Sequence, residues 1–153
     1  MGRVARFARE VLAGRGALQL QRKLGSRRAA FSAIYRLDYW NAGRATESVS
    51  GPGSTLAATA EIRAFIERLI RELGVRSLFD AACGDFNWMK AVALDGVSYT
   101  GVDIVPDLIE RVRALHGSES RRFRVGDIVR DPIERVDLVL CRDCLIHLPR
   151  RHV

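Results

Sequence analysis

One stretch limits the folds open to this chain: Ser77-Leu-Phe-Asp-Ala-Ala-Cys-Gly-Asp-Phe-Asn-Trp88. It starts as a short apolar run, meets an acid at Asp80, and narrows through small residues to Gly84. A helix is expected to open from about Asn87. A short apolar run bounded by turn residues is the pattern of a buried strand. A buried strand, a tight small-residue turn and a helix N-terminus together form the ligand-binding corner of a doubly wound α/β sheet.

The sequence downstream has the rhythm that such a sheet needs. Residues 75–82 form the first expected strand and 97–102 the second, ending at Asp103. Residues 106–115 carry Leu108, Ile109 and Val112 at helical spacing. Residues 122–125 form a third strand, ending at Gly126-Asp127, and 136–140 a fourth. Strands alternating with helices imply βαβ units and a parallel sheet. Upstream, residues 59–73 place Ile62, Phe65, Ile66, Leu69, Ile70 and Leu73 on one helical stripe, closed by Gly74. Such a stripe is core packing, and Ser54 or Thr55 can cap the helix. The expected class is therefore α/β: a Rossmann-like parallel sheet with a helical N-terminal extension. Residues 1–54 would be the basic extension and its loop, and 55–153 the sheet domain.

Charge separates the same two parts. Residues 1–44 hold 10 Lys/Arg against 2 Asp/Glu, whereas the remainder holds 15 against 16. Residues 1–39 read as helical, with breaks at Gly14, Gly16 and Gly25. A basic amphipathic helix can lie on anionic lipid or approach nucleic acid. The preferred reading is plainer: an Arg-rich arm packed on the main domain. The aromatic residues interleaved with its charges are few, which argues against single-strand binding. Residues 40–54 are a long loop by composition, and loops of that length often bind or cover ligands. No run of about 18 apolar residues is present. Arg3, Arg6, Arg9 and Arg15 interrupt any leader-like segment. Three cysteines, Cys83, Cys141 and Cys144, suit free thiols in a reducing compartment, and the cytoplasm is expected.

In an open α/β sheet, ligands sit beyond the C-terminal strand ends. The first strand ends at Asp80 and the turn Ala82-Cys83-Gly84-Asp85, where small residues allow close backbone approach. Asp103 follows Gly84 by 19 residues, the placement of an acid that accepts ribose hydroxyls. Asp127 beside Ile128 can take an adenine amino group while the apolar neighbour packs on the ring. Cys141-Arg142-Asp143 ends the fourth strand, where a substrate should approach. A lone Asp after a strand is usually a cap or turn residue. Three acids after three successive strands are harder to reach by accident. A dinucleotide fingerprint wants three glycines, yet Ala82, Gly84 and Asn87 supply one, and no P-loop is present.

These residues carry a resemblance. Asp80-Ala-Ala-Cys-Gly-Asp85 resembles the first motif of class I S-adenosylmethionine-dependent methyltransferases. Tyr99-Thr-Gly-Val-Asp103 resembles their second, and Gly126-Asp127-Ile128 their third. Asp137-Leu-Val-Leu-Cys141, followed by His147-Leu-Pro149, is similar to the fourth strand and following segment of the small-molecule members. The family implies that Asp80 and the backbone from Ala82 through Cys83 to Gly84 hold the methionine part of S-adenosylmethionine. It implies that Asp103 binds the ribose and that Asp127 and Ile128 frame the adenine. Asp85, Ile104 and Cys141 complete the expected cofactor side. Phe86 departs from the pattern, standing where many members have glycine. It implies a differently shaped turn, or a ring packed beneath the helix.

Methyl transfer asks the protein mainly to align nucleophile, methyl and sulfur. His147 and Asp143 are the nearest general-base candidates in sequence; His147 can equally be a residue that fixes its segment, and Asp143 a partner of Arg142. Trp88 reads as packing. Cys141-x-x-Cys144-x-x-His147 has metal-ligand residue types, but in a space too cramped for zinc, and no metal is expected. The family's sheet has seven strands, and only four are found here. That suggests a truncated chain or one completed by a partner, with its fourth strand an apolar edge. The expected function is methyl transfer from S-adenosylmethionine to a small molecule. The alternatives are a non-catalytic nucleoside-binding or partner-dependent module and a nicotinamide-dependent oxidoreductase.

Overall fold

The computed structural model describes residues 15–152. Two helices open this span, α1 (Arg15–Leu24) and α2 (Arg27–Arg36). Gly25, at φ +64, ends the first, and Ser26 caps the second by accepting from the Ala29 N–H at 3.3 Å. An irregular segment leads to α3 (Ala60–Leu73), which Gly74 closes in the left-handed conformation. The order then runs β1 (Ser77–Ala81), β2 (Ser98–Asp103), α4 (Pro106–His116), β3 (Arg121–Val125) and β4 (Leu138–Cys141). The first 14 residues of the helical segment expected over 1–39, with Val4, Phe7, Val11 and Leu12, lie outside the described residues. No helix among the described residues is long and apolar enough to cross a membrane.

The four strands form one parallel sheet in the order β3-β2-β1-β4. The chain steps from β1 outward through β2 to β3, then returns to the other side of β1. That reversal makes a switch point between β1 and β4, where an open α/β sheet leaves a crevice. Register aligns the carboxyl ends. Ala81 lies beside Val102 and Cys141, and Asp103 beside Val125. Every strand therefore delivers its last residues to one rim.

The core explains why these segments are strands and helices. Leu78, Tyr99 and Phe123 project from β1, β2 and β3 onto one face. Leu108, Ile109 and Val112 of α4 and Ile66 of α3 cover them there, and Phe31 and Tyr35 of α2 pack against the same cluster. Burying each large side chain contributes about 1.5–3 kcal/mol. The opposite face is smaller: Phe79, Ala81 and Val102 under Ile128 and Val136. The stripe expected on α3 is only partly core, since Phe65 and Leu73 are exposed. β4 is an edge strand with Val139 exposed.

One expected element is absent. No α-helix follows β1; residues 82–97 hold only the 3₁₀ turn Met89–Ala91. The cause is local. Ala82, Gly84 and Phe86 have positive φ, at 67°, 57° and 59°, so no right-handed winding precedes Asn87, and the turn that follows stops at Val92, whose backbone is extended at ψ 135°. Trp88, Met89, Val92 and Val97 are then spent on burial in the core cluster instead of forming one helical stripe.

Candidate functional site

The turn after β1 is held by its neighbour strand. The N–H groups of Ala82 and Cys83 both donate to the Val102 carbonyl, at 2.9 and 3.0 Å. A non-glycine residue in the left-handed region costs on the order of 1–2 kcal/mol. Phe86 is kept there by its ring, which sits 5.1 Å from Tyr99, 5.0 Å from Phe123 and 5.3 Å from His116, centroid to centroid. The residue that departs from the motif thus anchors the turn in the core. Gly101 makes room for this cluster: a Cβ there would lie 2.8 Å from the Phe123 ring.

Two acids are buried at the rim. Asp80 and Asp103 are 3% and 6% exposed, and neither has a cationic partner among the described residues. The Tyr99 hydroxyl donates to Asp80 at 2.7 Å. Burial pushes the Asp80 pKa up to about 7 despite that hydrogen bond, and the nearby Asp103 charge adds to the rise. Burial likewise raises Asp103 to about 6, against the lowering effect of backbone N–H donors. Gly84 N–H donates to Asp103 at 3.2 Å and Val105 N–H at 3.1 Å. Asp103 therefore closes the first turn and opens the approach to α4, and keeps free lone pairs.

The third acid is placed differently. Asp127 accepts from Arg27 of α2 at 2.5 and 3.2 Å and from the Val129 N–H at 3.1 Å. Burial alone would raise its pKa, but the Arg27 guanidinium and the Val129 donor bring it below the usual carboxylate value. All three acids line one cavity of about 280 Å³, together with Ala82, Cys83, Gly84, Ile104 and Ile128.

The opposite wall comes from the N-terminal segment. Arg27, Phe31 and Tyr35 recur at four-residue spacing on α2 and all line the cavity. The buried Tyr35 hydroxyl pairs with Ser50 Oγ at 3.1 Å, and Ser50 Oγ accepts from the Asp85 N–H at 3.0 Å. The Asp85 carboxylate accepts from Ser48 Oγ and the Val49 N–H, each at 2.8 Å. Residues 48–50 are thereby strapped onto the turn. Gly84 is where they cross it, since a Cβ there would lie 2.5 Å from Ser50 Oγ. Below the strap, Glu47 accepts from the Leu56 N–H, and Asn87 Nδ2 donates to the Ser54 carbonyl at 3.0 Å.

The end of β4 supplies the remaining wall. Asp143, at φ +52, pairs with Arg142 at 2.9 Å. Arg142 also donates to the Gly53 carbonyl at 3.1 Å and lies 5.6 Å from the Trp88 ring centre. His147 packs on Trp40 with ring centroids 4.7 Å apart, and its buried Nδ1 has no partner among the described residues. Burial holds the His147 pKa below its ordinary value, against the pull of Asp143. Cys83, Cys141 and Cys144 are free thiols. Burial, with Cys141 beside it, pushes Cys144 up to about 12. Among the described residues no group of three or more His, Cys, Asp or Glu side chains is arranged to hold a metal ion.

The fold gathers Asp80, Ala82, Cys83, Gly84, Asp103, Ile104, Asp127, Ile128, Asp143 and His147 around the cavity. Asp85 stands behind it, spent on the strap, and Cys141 lies exposed on the edge strand rather than in the wall. Arg27, Phe31, Tyr35 and Trp40 line it without having been expected to. The first three carry a signal in the sequence, the spacing 27, 31, 35, within a segment that reads as an arm.

A parallel sheet ordered β3-β2-β1-β4, with its crevice at the β1–β4 switch point, defines a Rossmann-like α/β domain. Residues 78–153 match the methyltransferase-domain family. Over 106 residues the chain is 32% identical to the ubiquinone biosynthesis O-methyltransferase of Xylella fastidiosa strain M23, covering 65% of this chain and 42% of that protein. It is 30% identical over 91 residues to the protein of the same name from Bordetella avium strain 197N, covering 56% and 37%. The chain thus spans about two fifths of the length of the curated relatives it matches. Among solved structures, magnesium protoporphyrin IX methyltransferase from Synechocystis PCC 6803 with bound SAM has the same fold. Its TM-score is 0.58 at 19% identity, covering 80% of this chain and 62% of that one. Residues 78–153 of the chain belong to the methyltransferase-domain family.

Proposed function

We propose that this chain binds S-adenosylmethionine in the strand-end cavity and transfers its methyl group to a small molecule. The observation that carries this reading is the convergence of Asp80, Asp103 and Asp127 on one cavity beside a single-glycine turn. The donor set suits the cofactor. Asp80 and Asp103 are buried acids without a cationic partner among the described residues, and a ligand bearing an ammonium, a sulfonium and a ribose diol supplies what they lack.

In this reading Asp80 and the backbone of residues 82–84 hold the methionine portion. Asp103, beside Ile104, accepts the ribose hydroxyls. Asp127 and Ile128 frame the adenine, with Arg27 sharing the Asp127 carboxylate. When bound, the cofactor supplies an activated methyl group. The protein's part is to exclude water and align the acceptor. His147 is the proposed base: it lines the cavity, and its imidazole, whose pKa burial lowers, can take a proton from an acceptor hydroxyl or amine. Asp143 lies at the same end and raises the basicity of His147. The free cysteines support a cytoplasmic setting.

Calorimetric titration of the chain with S-adenosylmethionine, its demethylated product and NAD tests this reading. Binding of the first two and not of NAD is expected. Binding of NAD alone would make the domain a nicotinamide site.

A further inference from the structure

A second groove adjoins the cavity and differs from it in charge. Its walls carry Arg22 and Arg28 from α1 and α2, Arg130 from the turn after β3, and Arg150 and Arg151 from the last 3₁₀ turn. None of these five guanidinium groups has a carboxylate partner among the described residues. The one acid on the groove wall, Asp127, is already paired with Arg27. His152 sits among them: Arg27 Nη1 lies 3.2 Å from His152 Nδ1, and Arg151 donates to His152 Nε2 at 3.3 Å. Burial and then the charges of Arg27 and Arg151 hold the His152 pKa below its ordinary value, as a positive field requires.

The cationic side chains of this groove are all arginine, with no lysine. Guanidinium groups match the oxygens of phosphate and carboxylate in paired hydrogen bonds. Five cations without an ion-pair partner among the described residues are offset poorly by one carboxylate and well by a group carrying two or more negative charges. The groove is concave, at about 900 Å³, with arginines on facing elements. That shape encloses a small polyanion; a lipid surface asks instead for charges spread over an outward face. Gln21 Nε2 donates to the His147 carbonyl at 2.9 Å, which ties α1 to the segment after β4 and fixes one end of the groove.

We propose that this groove is a phosphoryl-binding subsite, which holds a phosphate or pyrophosphate ester at the edge of the cofactor cavity. Arg27, Ile104 and Asp127 line both spaces, so a ligand here lies one side chain from the cavity. The proposal does not depend on which ligand the cavity takes.

The test is titration of the full chain with inorganic pyrophosphate at constant ionic strength, which removes general screening effects. Three charge-removing double variants are compared: Arg28→Gln with Arg130→Gln, Arg150→Gln with Arg151→Gln, and a control, Arg71→Gln with Arg111→Gln, on exposed surface outside the groove. Saturable binding is expected, weakened about tenfold or more in both groove variants, as for lost charge-assisted hydrogen bonds, and less than about twofold in the control. Either groove variant alone serves if the other fails to fold. No saturation at millimolar pyrophosphate, or equal weakening in the control, overturns the proposal. A parallel arm uses phosphatidylglycerol vesicles. Vesicle binding that the groove variants abolish, with free pyrophosphate inert, also overturns it and assigns the arginines to lipid headgroups.

Discussion

The two long walls of the strand-end cavity are built by different means. The strand-end wall places Asp80 and Asp103 by sheet register, buries them, and gives them no cationic partner among the described residues. The N-terminal wall places Arg27, Phe31, Tyr35 and Ser50 by helix spacing and a chain of hydrogen bonds that ends on Asp85. The first wall stores unfavourable electrostatics that a cationic ligand can relieve. The second is satisfied internally and gives shape. If this contrast is right, changes to the first wall should move charge-linked properties, and changes to the second should move fold stability.

The largest expected effect concerns pH. Asp80 has a folded-state pKa of about 7, above its unfolded value. A raised carboxyl contributes stability that is fully present below the unfolded pKa and is lost as pH rises through the folded one. The ligand-free chain should therefore lose stability between about pH 4 and 7, by on the order of 3–4 kcal/mol if Asp80 dominates. Urea titrations across that range measure it, and Asp80→Asn should flatten the trend. An equally steep slope in the variant would break the contrast. Next, Asp103→Ala should weaken S-adenosylmethionine binding by about 1–3 kcal/mol, the loss of charge-assisted hydrogen bonds. Unchanged affinity by calorimetry would rule out the proposed role of Asp103.

The seam between the walls comes next. Gly84→Ala puts a Cβ against Ser50 Oγ in a left-handed backbone and should cost about 2 kcal/mol in thermal melts. The smallest effect is Tyr35→Phe. It removes one bond to Ser50 and should cost about 1 kcal/mol of stability. Its signature is a pH profile of stability unlike that of Asp80→Asn and close to that of the parent chain.

The same contrast explains what could be read from sequence. The strands were legible because short apolar runs end in acids, and register then brings those acids together without further information. The expected strand bounds needed only small shifts, as for β4, which runs Leu138–Cys141 rather than 136–140. The helix expected from Asn87 is cut to one 3₁₀ turn because Val92 adopts an extended backbone and is buried in the core, and residue type does not announce that choice. Asp85 looked like a site residue by its place in the motif, but its partners Ser48 and Val49 lie 36 or more residues earlier in the chain. Arg27 and Tyr35 read as parts of a basic arm because nothing local shows that α2 folds back over the strand ends.

The central claim is that the buried strand-end carboxylates receive the cofactor. With ligand-free pKa values of about 7 and 6, Asp80 and Asp103 are partly protonated near pH 6.5. A ligand that brings positive charge and hydroxyl donors lowers both values and expels protons. Calorimetric titration with S-adenosylmethionine at pH 6.5, in two buffers of different ionisation enthalpy, counts those protons directly. Release of about one proton per ligand is predicted. Binding with no proton release, or with uptake, would contradict the account.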